Sequence, residues 1–466
     1  MSDPWDIAVI GAGPAGGNAA LAAAASGQRV IMLDEQPSPG GQVWRAKSRS
    51  ILSAPITPET KAGDDLRTAL SDSTVAQQPG TRVWDISRRD DLWSLQCLRN
   101  GTSQQIRARA LILATGAREY VQPVAGWTMP GVIGLAGATA LFKQNLSLPG
   151  QRTVVSGTGP LVFYVASEIR RLGGTVAAVV TPNTRRDWVR ALPAMASQPA
   201  LMARGALWVA DLMLSRVPIL WGHTVSDIAG DSAVSGVTTQ NLSRRSSGPS
   251  FGADSLCLGH GLIPNIEAAQ MLGVTVHHDP ALGGWVPDAD PDGATQIKGL
   301  YLCGDGCGIR GATAAGLQGS LAGARAARDL GHAAPVPSQR KWAQAARFGT
   351  AMTALSIPRA DLAALACQDT ILCRCESLTR ADITAEIATG ATSTNAIKSG
   401  KRAGMGPCGG KYCQTAVAAL IAAQTGKPVA DVPPPTPRPP LRPVPLGQAA
   451  GTFDYDDLPI PKPAPL

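Results

Sequence analysis

The sequence has 466 residues, 44% of them apolar and 16% charged, with 51 glycines, 37 prolines, 10 Trp, 5 Tyr and 5 Phe. This composition excludes a disordered chain, a coiled coil and a collagen, and the length predicts about three domains. The formal charge of +8 is dispersed, without a long Lys/Arg run or an aromatic-rich basic stripe, which argues against nucleic-acid binding.

The N-terminus and the hydropathy pattern predict neither export nor a transmembrane segment. The apolar start at Trp5 follows only Met-Ser-Asp-Pro, without the basic region of a signal peptide, and no run of about 18 apolar residues could span a bilayer. Nine cysteines is an odd number, and four of them lie within 373–413, which suits metal ligation in a reducing compartment better than disulfides. We therefore expect a cytoplasmic protein.

The first 35 residues predict a strand, a glycine-rich turn, a helix and a second strand. Strand 6–10 leads into Gly11-Ala-Gly-Pro-Ala-Gly16, and the apolar run 29–33 closes on Asp34. The first glycine of such a turn permits the bend, the second lets backbone approach a pyrophosphate, and the third lets helix pack on strand. Asp34 can accept hydrogen bonds from a ribose, with Glu35 as the less favoured substitute. The competing interpretation is an Ala/Gly-rich packing turn.

A second unit of the same kind begins at Thr153. It continues through Gly157-Thr-Gly159-Pro160 to an apolar run over 175–180. Its third glycine position is Val162, and the second strand ends at Thr181 with no carboxylate for the ribose of NAD. The alternatives at this point are a working nicotinamide site, a structural relic and a site for another adenine nucleotide.

The remaining chain predicts one returning strand and a separate C-terminal module. The segment 299–305 reads as a buried strand that returns to the first sheet and feeds a helix over 312–330. The stretch 332–369 is polar and weakly helical, which suggests a connector. Residues 371–428 carry cysteines and glycines, with short helices near 380–389 and 412–424.

The helix near 380–389 has recognisable end signals. Thr379 and Asp382 fit a capping box at its start, and Gly390 fits a stop at its end.

The proline-rich tail lacks the pattern of a core. Its last 34 residues hold 12 of the 37 prolines, so we expect an extended segment that is either loose or laid on another surface. We predict that Pro433–Leu466 is a docking strap on this chain or on a partner, with a plain spacer as the alternative. The apolar residues that motivate docking are Leu441, Val444, Leu446, Phe453, Tyr455, Leu458 and Ile460.

Three further motifs follow the first turn in a fixed order: Gly40-Gly41-Gln42, Ala114-Thr115-Gly116-Ala117 and Gly304-Asp305. Together they resemble the two-dinucleotide-domain flavoprotein superfamily, a glutathione-reductase-like α/β fold, over residues 5–330. The resemblance implies bound FAD, with the Gly-Asp pair near its ribityl and pyrophosphate region. Redox cysteines spaced C-x-x-C are absent from the sequence, so disulfide chemistry is not supported. The predicted FAD-binding residues are Gly11, Gly13, Gly16, Asp34, Glu35, Gln42, Thr115, Gly116 and Asp305.

The cysteine cluster supplies four thiolates from two short loops. Cys373-Arg-Cys375 is followed after 32 residues by Cys408-Gly-Gly-Lys-Tyr-Cys413. Four thiolates are what a [2Fe–2S] cluster needs, and the nearby glycines and basic residues suit its negative charge. Tetrahedral zinc and a site without metal are the alternatives, although the C-x-C spacing is tighter than zinc pairs usually show. The predicted ligands are Cys373, Cys375, Cys408 and Cys413.

This module, with Ile397-Lys398 and Arg402-Ala-Gly-Met-Gly-Pro-Cys408, resembles the bacterioferritin-associated-ferredoxin-like [2Fe–2S] domain. Nearly the whole chain then resembles the α subunits of the opine oxidase, hydroxyproline dehydrogenase and hydrogen cyanide synthase group. One departure is Gly409-Gly-Lys, where relatives often carry Gln-Gly-Arg. The other matching segments are Gly126-Trp-Thr-Met-Pro-Gly131, Gly259-His-Gly-Leu-Ile-Pro-Asn265, Gly304-Asp-Gly-Cys-Gly308 and the tail 438–446.

The resemblance implies an FAD- and [2Fe–2S]-containing α subunit of a hetero-oligomeric dehydrogenase that acts on CH–NH donors of the opine, hydroxyproline or glycine type. A β subunit with its own flavin would oxidise the substrate, and this chain would relay electrons to a respiratory acceptor. The implied assembly also allows a small ferredoxin-like γ subunit, a second bound nucleotide and a peripheral place at the inner membrane. The competing functions are a self-sufficient NAD(P)H-dependent flavin/iron–sulfur reductase and a non-catalytic scaffold with structural FAD.

We assign no catalytic residue, because the sequence shows no histidine paired with a carboxylate. The histidines at 223, 260, 277 and 278 are scattered. We expect an FAD-binding domain over 1–125 and 286–332, a second nucleotide-binding-like domain over 126–285, a connector over 333–370, a [2Fe–2S] domain over 371–430 and a proline-rich tail over 431–466.

Overall fold

The computed structural model describes residues 3–48, 50–51, 53–357 and 360–450. The first elements of the chain alternate between strands and helices and then form a run of antiparallel strands. In chain order they are β1 (Trp5–Ile10), α1 (Pro14–Ala24), β2 (Val30–Asp34), α2 (Pro58–Ser71), β3 (Ala76–Pro79), β4 (Thr81–Arg89), β5 (Leu92–Arg99), β6 (Thr102–Leu113), β7 (Ala117–Glu119) and β8 (Val132–Gly134).

The middle elements of the chain again alternate between helices and strands and then form a run of strands. They are α3 (Leu135–Asn145), β9 (Arg152–Gly157), α4 (Leu161–Arg171), β10 (Thr175–Thr181), α5 (Arg185–Met195), α6 (Pro199–Leu214), β11 (Ile219–Trp221), β12 (His223–Ala229), β13 (Gly236–Asn241), β14 (Ser246–Gly252), β15 (Ser255–Gly259) and β16 (Leu262–Pro264).

The remaining described part of the chain, from residue 267 onward, has more helices than strands. Its elements are α7 (Glu267–Met271), β17 (Val276–Asp279), β18 (Gly284–Pro287), β19 (Leu300–Leu302), α8 (Gly311–Asp329), α9 (Gln339–Ala354), β20 (Ile371–Cys373), β21 (Leu378–Thr379), α10 (Arg380–Ala388), α11 (Thr394–Lys401), α12 (Gln414–Thr425) and α13 (Leu446–Ala450).

The first sheet has the strand order β3-β2-β1-β6-β5-β4, and β19 also pairs with β6. Strands β3, β2, β1, β6 and β19 are parallel, whereas β4 and β5 are antiparallel additions. The predicted return of 299–305 to this sheet is confirmed, because Tyr301 pairs with Ile112. Helices α1 and α8 approach closely, since a Cβ at Gly319 would lie 2.0 Å from the carbonyl oxygen of Ala15.

The second sheet has the order β11-β10-β9-β15-β8 and is parallel throughout. A separate antiparallel sheet, β12-β13-β14, lies between β11 and β15 in the chain. The antiparallel strands β4 and β5 lie between β3 and β6 in the same way, but they are hydrogen-bonded to the first sheet. The predicted βαβ unit over 153–180 is therefore present. Val162 at the third glycine position is fully buried, so α4 packs through a branched side chain there.

A two-stranded antiparallel ribbon joins these two sheets. Strands β7 and β16 pair with Arg118 opposite Ile263. Just beyond the ribbon, His260 is buried, and its Nδ1 accepts a hydrogen bond from the backbone N–H of Gln122 at 3.0 Å. His277 does form a carboxylate pair, with Asp288 at 2.5 Å, which the sequence did not reveal because the partner comes from the facing strand region.

The stretch expected to be a weakly helical connector contains the 16-residue helix α9, which packs against α5 and α8. A Cβ at Gly349 would lie 1.9 Å from the carbonyl oxygen of Arg310, and the Thr353 hydroxyl donates to the carbonyl of Ile309 at 2.8 Å. Small residues at 345, 349 and 353 share one helix face, which was the sequence signal for this contact.

The C-terminal module has the two helices that the sequence predicts. The capping box of Thr379 and Asp382 is present at the start of α10. A separate apolar core forms around Ile383, Ile397 and Ile421. This small core is separate from the cores of the two large sheets.

The described part of the tail lies on this chain. The backbone N–H of Leu441 donates to the carbonyl of Trp84 at 2.7 Å, and Arg442 pairs with Glu35 at 2.9 Å. Residues 446–450 form the short helix α13 rather than extended backbone, because Pro445 starts the turn and accepts from the N–H groups of Gln448 and Ala449. The strap residues after Ala450 lie outside the described residues.

Candidate functional site

A cavity of about 680 Å³ lies at the carboxyl ends of the parallel strands of the first sheet and extends to the second unit. Residues that follow β1, β2, β6 and β19 meet there, as expected for a ligand site of an open α/β sheet. Eight of the nine predicted FAD-binding residues line it: Gly11, Gly13, Asp34, Glu35, Gln42, Thr115, Gly116 and Asp305.

The turn after β1 leaves its backbone open to the cavity. Gly11 has φ +102°, and a Cβ there would lie 2.4 Å from the carbonyl oxygen of Ala114. Gly16 does not line the cavity but packs under the turn, where a Cβ would lie 1.8 Å from the Gly11 carbonyl oxygen. Gly13 is the N-cap of α1 and has no capping side chain. The helix N-terminus is thus free to face a pyrophosphate.

The two acidic residues after β2 have different partners. The Asp34 carboxylate accepts from the backbone N–H groups of Ala12 and Gln36, and burial raises its pKa. Glu35 is paired with Arg442 of the tail. Asp34 is therefore fixed in place at the cavity wall, whereas the carboxylate of Glu35 holds the tail over the cavity.

The segment after β6 is locked by a residue outside the predicted set of site residues. The side-chain amide of Asn265 donates to the carbonyl of Thr115, and the Thr115 hydroxyl donates to the carbonyl of Asn265, both at 2.9 Å. Asn265 also lines the cavity. No spacing rule pointed to it, since the two residues are 150 positions apart.

Asp305 sits at the turn before α8. Its carboxylate accepts from the backbone N–H groups of Arg310 at 2.9 Å and Gly311 at 3.0 Å, and burial raises its pKa. The preceding Gly304 has φ +75° and donates its N–H to the side chain of Gln318. This arrangement explains why the Gly-Asp pair is needed here.

The end of the cavity near the second unit carries two buried charges that the sequence did not reveal. Glu119 accepts from the backbone N–H of Ala136 at 2.9 Å, and burial raises its pKa to about 7. Lys143 donates to the carbonyl of Val43 at 2.8 Å, and burial lowers its pKa to about 8. Both side chains come from elements whose sequence reads as ordinary strand and helix.

The corresponding turn of the second unit is covered by this chain itself. The N–H of Gly159 donates to the side chain of Asn183 at 2.9 Å, and Asn183 donates to the carbonyl of Leu355 at 2.8 Å. A Cβ at Gly159 would lie 2.0 Å from the hydroxyl of Ser356, so the end of α9 rests on the turn. Thr181 ends β10 and bonds to Asn183.

The four predicted cysteine ligands come together as two pairs. Cys373 interacts with Cys413, which lowers the pKa of the Cys373 thiol to about 5, and Cys375 interacts with Cys408. Within the described residues, no three Cys, His, Asp or Glu side chains converge on one point as ligands of a single ion would. Two pairs of thiols suit a binuclear cluster, in which each iron takes two cysteines.

The glycines of the module let the two loops approach. A Cβ at Gly406 would lie 2.2 Å from the Cβ of Cys375, and the N–H of Gly404 is hydrogen-bonded to the Cys373 sulfur. Arg374 lies between the rings of Trp127 and Tyr412, at 4.9 and 4.8 Å from their centroids. The donor set and the charge around it therefore fit an anionic iron–sulfur cluster.

Comparisons with known proteins agree with this geometry. Residues 5–329 match the pyridine nucleotide-disulphide oxidoreductase family, and residues 371–423 match the BFD-like [2Fe–2S] binding domain. The chain is 33% identical to the opine oxidase A subunit of Agrobacterium tumefaciens (strain Ach5), over 97% of this chain and 92% of that protein. It is 28% identical to hydrogen cyanide synthase subunit HcnB of Pseudomonas aeruginosa, over 87% of this chain and 90% of that protein.

A solved structure shows the same fold. L-proline dehydrogenase from P. horikoshii superimposes with a TM-score of 0.75 over 96% of this chain and 79% of that chain, at 22% identity. In the described part of this chain, none of the helices combines the length and the apolar character needed to cross a bilayer.

The family matches confirm the predicted fold class, FAD and the [2Fe–2S] cluster. The naming of relatives as subunits implies a multi-subunit complex. The chain belongs to the pyridine nucleotide-disulphide oxidoreductase family and, within it, to the family of the opine oxidase A subunits, as an FAD- and [2Fe–2S]-containing oxidoreductase subunit.

Proposed function

We propose that this chain is the α subunit of a dehydrogenase that oxidises the CH–NH bond of an amine or amino-acid derivative of the opine, hydroxyproline or glycine type. A flavin-containing β subunit would hold the substrate, and this chain would relay the electrons to an acceptor. The relatives named opine oxidase and hydrogen cyanide synthase subunits support this substrate class.

The observation that carries the proposal is the direct contact between the flavoprotein part of the chain, through its second unit, and the cysteine module. The indole N–H of Trp127 donates to the carbonyl of Ile371 at 2.7 Å, and Arg374 stacks on the same indole next to Cys373 and Cys375. Oxidation of a C–N bond to an imine releases two electrons and two protons; FAD takes electrons in pairs or singly, and a [2Fe–2S] cluster takes them singly. One chain that holds both groups can therefore pass the two electrons of the substrate, one at a time, to a one-electron acceptor.

Different residues of the described chain would bind different parts of FAD and the [2Fe–2S] cluster. We propose that Gly11 and Gly13 present backbone N–H groups to the pyrophosphate, that Asp34 orients the ribose, with Glu35 next to it, and that Asp305 lies at the ribityl region. Gly16 supports the turn from below, and Gln42, Thr115 and Gly116 complete the wall. Cys373, Cys375, Cys408 and Cys413 would ligate the cluster. We retain the domain boundaries given above as part of this proposal.

The competing NAD(P)H-dependent reductase would need an accessible second turn. Gly159 instead uses its N–H on Asn183, and Ser356 lies against it. A scaffold with structural FAD would show no flavin reduction during turnover of the assembled complex.

The proposal can be tested on the complex purified from native expression. Its subunits are identified by mass spectrometry, and candidate amines are screened for anaerobic bleaching of the flavin absorbance. Cys408→Ala should remove iron and sulfide, leave flavin in place, and stop reduction of a one-electron acceptor such as ferricenium while substrate still bleaches flavin.

Cys367→Ser is the matched control, because Cys367 is exposed and lies outside the four ligands. It should retain about two irons per chain, the content of a [2Fe–2S] cluster. If the chain purifies without a partner and no amine reduces its flavin, the proposed function is wrong.

A further inference from the structure

Arg118 occupies a position between the two cofactor sites. It lies on β7, two residues after Gly116 of the cavity wall, and its side chain is mostly buried, with 20% exposed. The guanidinium donates to acceptors on both sides. Nε donates to the carbonyl of Lys411 at 3.0 Å, and Nη1 to Glu267 Oε1 at 2.7 Å, Asn265 Oδ1 at 3.1 Å and the Pro264 carbonyl at 3.2 Å.

On the flavin side, the contacts of Arg118 continue to the cavity wall within one residue. Asn265, which accepts from Arg118, donates to the carbonyl of Thr115, and its own backbone N–H donates to the carbonyl of Gly116 at 3.0 Å. Glu267, the ion-pair partner, also lines the cavity. Arg118 is therefore linked through Asn265 to Thr115 and Gly116, two residues predicted to border the flavin.

On the cluster side, the contact is with the loop that carries two of the four cysteines. Lys411 lies between Cys408 and Cys413, and its ammonium donates to the carbonyl of Cys408 at 3.1 Å. The Lys411 carbonyl accepts from Arg118 at a position where Gly409 and Gly410 both have positive φ. Flanking glycines leave the loop little conformational preference of its own, so an outside anchor decides where it lies.

Arginine suits this role because its planar guanidinium presents several N–H donors in fixed directions. Here Nε and Nη1 point to different parts of the chain, one to the cysteine loop and one to the cavity wall. A lysine at this position would keep the charge beside Glu267 but could not supply both directions at once.

We propose that Arg118 is a positioning residue that sets the place of the 408–413 loop relative to the flavin cavity and thereby the rate of electron transfer between the two cofactors. The inference rests on the proposed relay. In each transfer event one electron leaves the reduced flavin and one enters the cluster, and no bond to Arg118 forms or breaks.

The test compares Arg118→Lys and Arg118→Ala with the wild type in the full chain carrying both cofactors. Arg170→Ala is the matched control, because Arg170 pairs with Asp211 within the second unit. Flavin and iron contents are measured first. Hydrogen exchange of the amides in 408–413 then reports the loop, and flash reduction of the flavin followed by cluster absorbance reports the transfer rate.

We expect both Arg118 variants to keep their cofactors, to exchange 408–413 about tenfold faster through loss of a hydrogen bond from a charged donor, and to transfer electrons more slowly. Arg170→Ala should leave both values unchanged. A purely structural ion pair would instead be rescued by Arg118→Lys, which keeps the charge. Recovery of both exchange and rate in Arg118→Lys would therefore overturn the proposal.

The other possible results also test the positioning role of Arg118. Wild-type exchange and wild-type rate in Arg118→Ala would overturn the inference. If Arg118→Ala loses its cofactors, the comparison of Arg118→Lys with the wild type decides alone. If the wild type shows no transfer at all, the proposed relay fails, and unchanged exchange in 408–413 would then remove the positioning role as well.

Discussion

The two nucleotide-type units share a parallel arrangement of strands, β3-β2-β1-β6 in one and β11-β10-β9-β15 in the other, but differ in what lies on their glycine turns. In the first unit, Gly11 and Gly13 face a large cavity and their helix has no capping side chain. In the second, the Gly159 N–H is taken by Asn183, and Ser356 rests on the turn. The same backbone pattern thus serves as a binding site in one unit and as a docking place for this chain's own helix in the other.

This difference shows that a glycine motif predicts local backbone geometry more securely than it predicts a ligand. Both turns have glycines at positive φ, as the sequence requires. Whether such a turn can bind a ligand depends on whether a later segment of the chain packs over it. Leu355 and Ser356 lie about 200 residues beyond the turn that they cover, as the separation of 198 between Thr158 and Ser356 shows.

The largest contrast should come from enlarging one glycine in each turn. Gly11→Val places a branched side chain at φ +102° and 2.4 Å from a backbone oxygen, which has no room to move. We expect loss of bound flavin, measured by absorbance after desalting. Gly159→Ala also places a side chain at a positive φ, +72°, but its close contacts are with the side chain of Ser356, at 2.0 Å from the hydroxyl and 3.2 Å from the Cβ. That side chain can shift, so the flavin content should equal that of the wild type. Equal flavin loss in both variants would contradict the distinction.

A second contrast uses two aspartates with equivalent backbone partners. Asp305 accepts from the N–H groups of Arg310 and Gly311, and Asp254 accepts from those of Gln151 and Arg152 at 3.0 Å. Asp305→Ala should destabilise the fold by about 1–3 kcal/mol per lost hydrogen bond to a charged group, and Asp254→Ala should destabilise it less, because Asp254 is exposed to water. Only Asp305→Ala should also weaken flavin binding, by about tenfold or more for that loss.

Flavin titration of the apoprotein measures this affinity, and thermal unfolding measures stability. Similar affinities for the two variants would show that Asp305 acts on the fold alone.

A third measurement concerns the ribbon that joins the units. Burial raises the pKa of Glu119 from 4.5 to about 7, so the folded state binds more protons than the unfolded state between these values. The free energy of unfolding should therefore fall as pH rises through this window, by up to about 3 kcal/mol. Glu119→Gln should lack this decrease.

Denaturant unfolding at pH 5 and pH 8 checks this, with the exposed Asp65→Asn as control. A Glu119→Gln variant that loses as much stability between these pH values as the wild type would assign the slope to other groups.

The last prediction concerns reduction of the flavin by nicotinamide nucleotides, for which we expect no change. Neither the wild type nor Asn183→Ala should be reduced quickly by NADH or NADPH, because Leu355 and Ser356 still cover the second turn after the side chain of Asn183 is removed. Anaerobic stopped-flow absorbance measures the flavin. Rapid bleaching of the wild type by either nucleotide would show that the turn opens.

The parts of the fold that could be predicted from sequence are those set by local pattern. The strand-turn-helix of residues 6–34, the capping box at Thr379 and the returning strand near 300 depend on neighbouring residues and on apolar runs. The four cysteines could be read from spacing because thiolate ligands have few substitutes. Their pairing could not, since it depends on how two loops meet.

The contacts that the sequence did not reveal join distant segments. Asn265 locks Thr115 across 150 residues, and Arg118 reaches Lys411 across 293. Helix α9 read as a weak connector because its packing face consists of small residues, which carry little hydropathy signal. Glu119 and Lys143 are buried where the two units approach each other. Their burial depends on tertiary packing, so no local sequence motif indicates it.

The tail contact has a consequence for how this protein is made. Leu441 and Arg442 line the cavity, and Arg442 holds Glu35, a residue 407 positions earlier in the chain. Domains generally fold from the N-terminal side during synthesis, so both sheets can form before this segment leaves the ribosome. Until then one wall of the cavity is missing. We expect the newborn protein to exchange flavin with its surroundings more freely until residues 441 and 442 have emerged and packed against the cavity, so that their arrival marks the point at which the cofactor is retained.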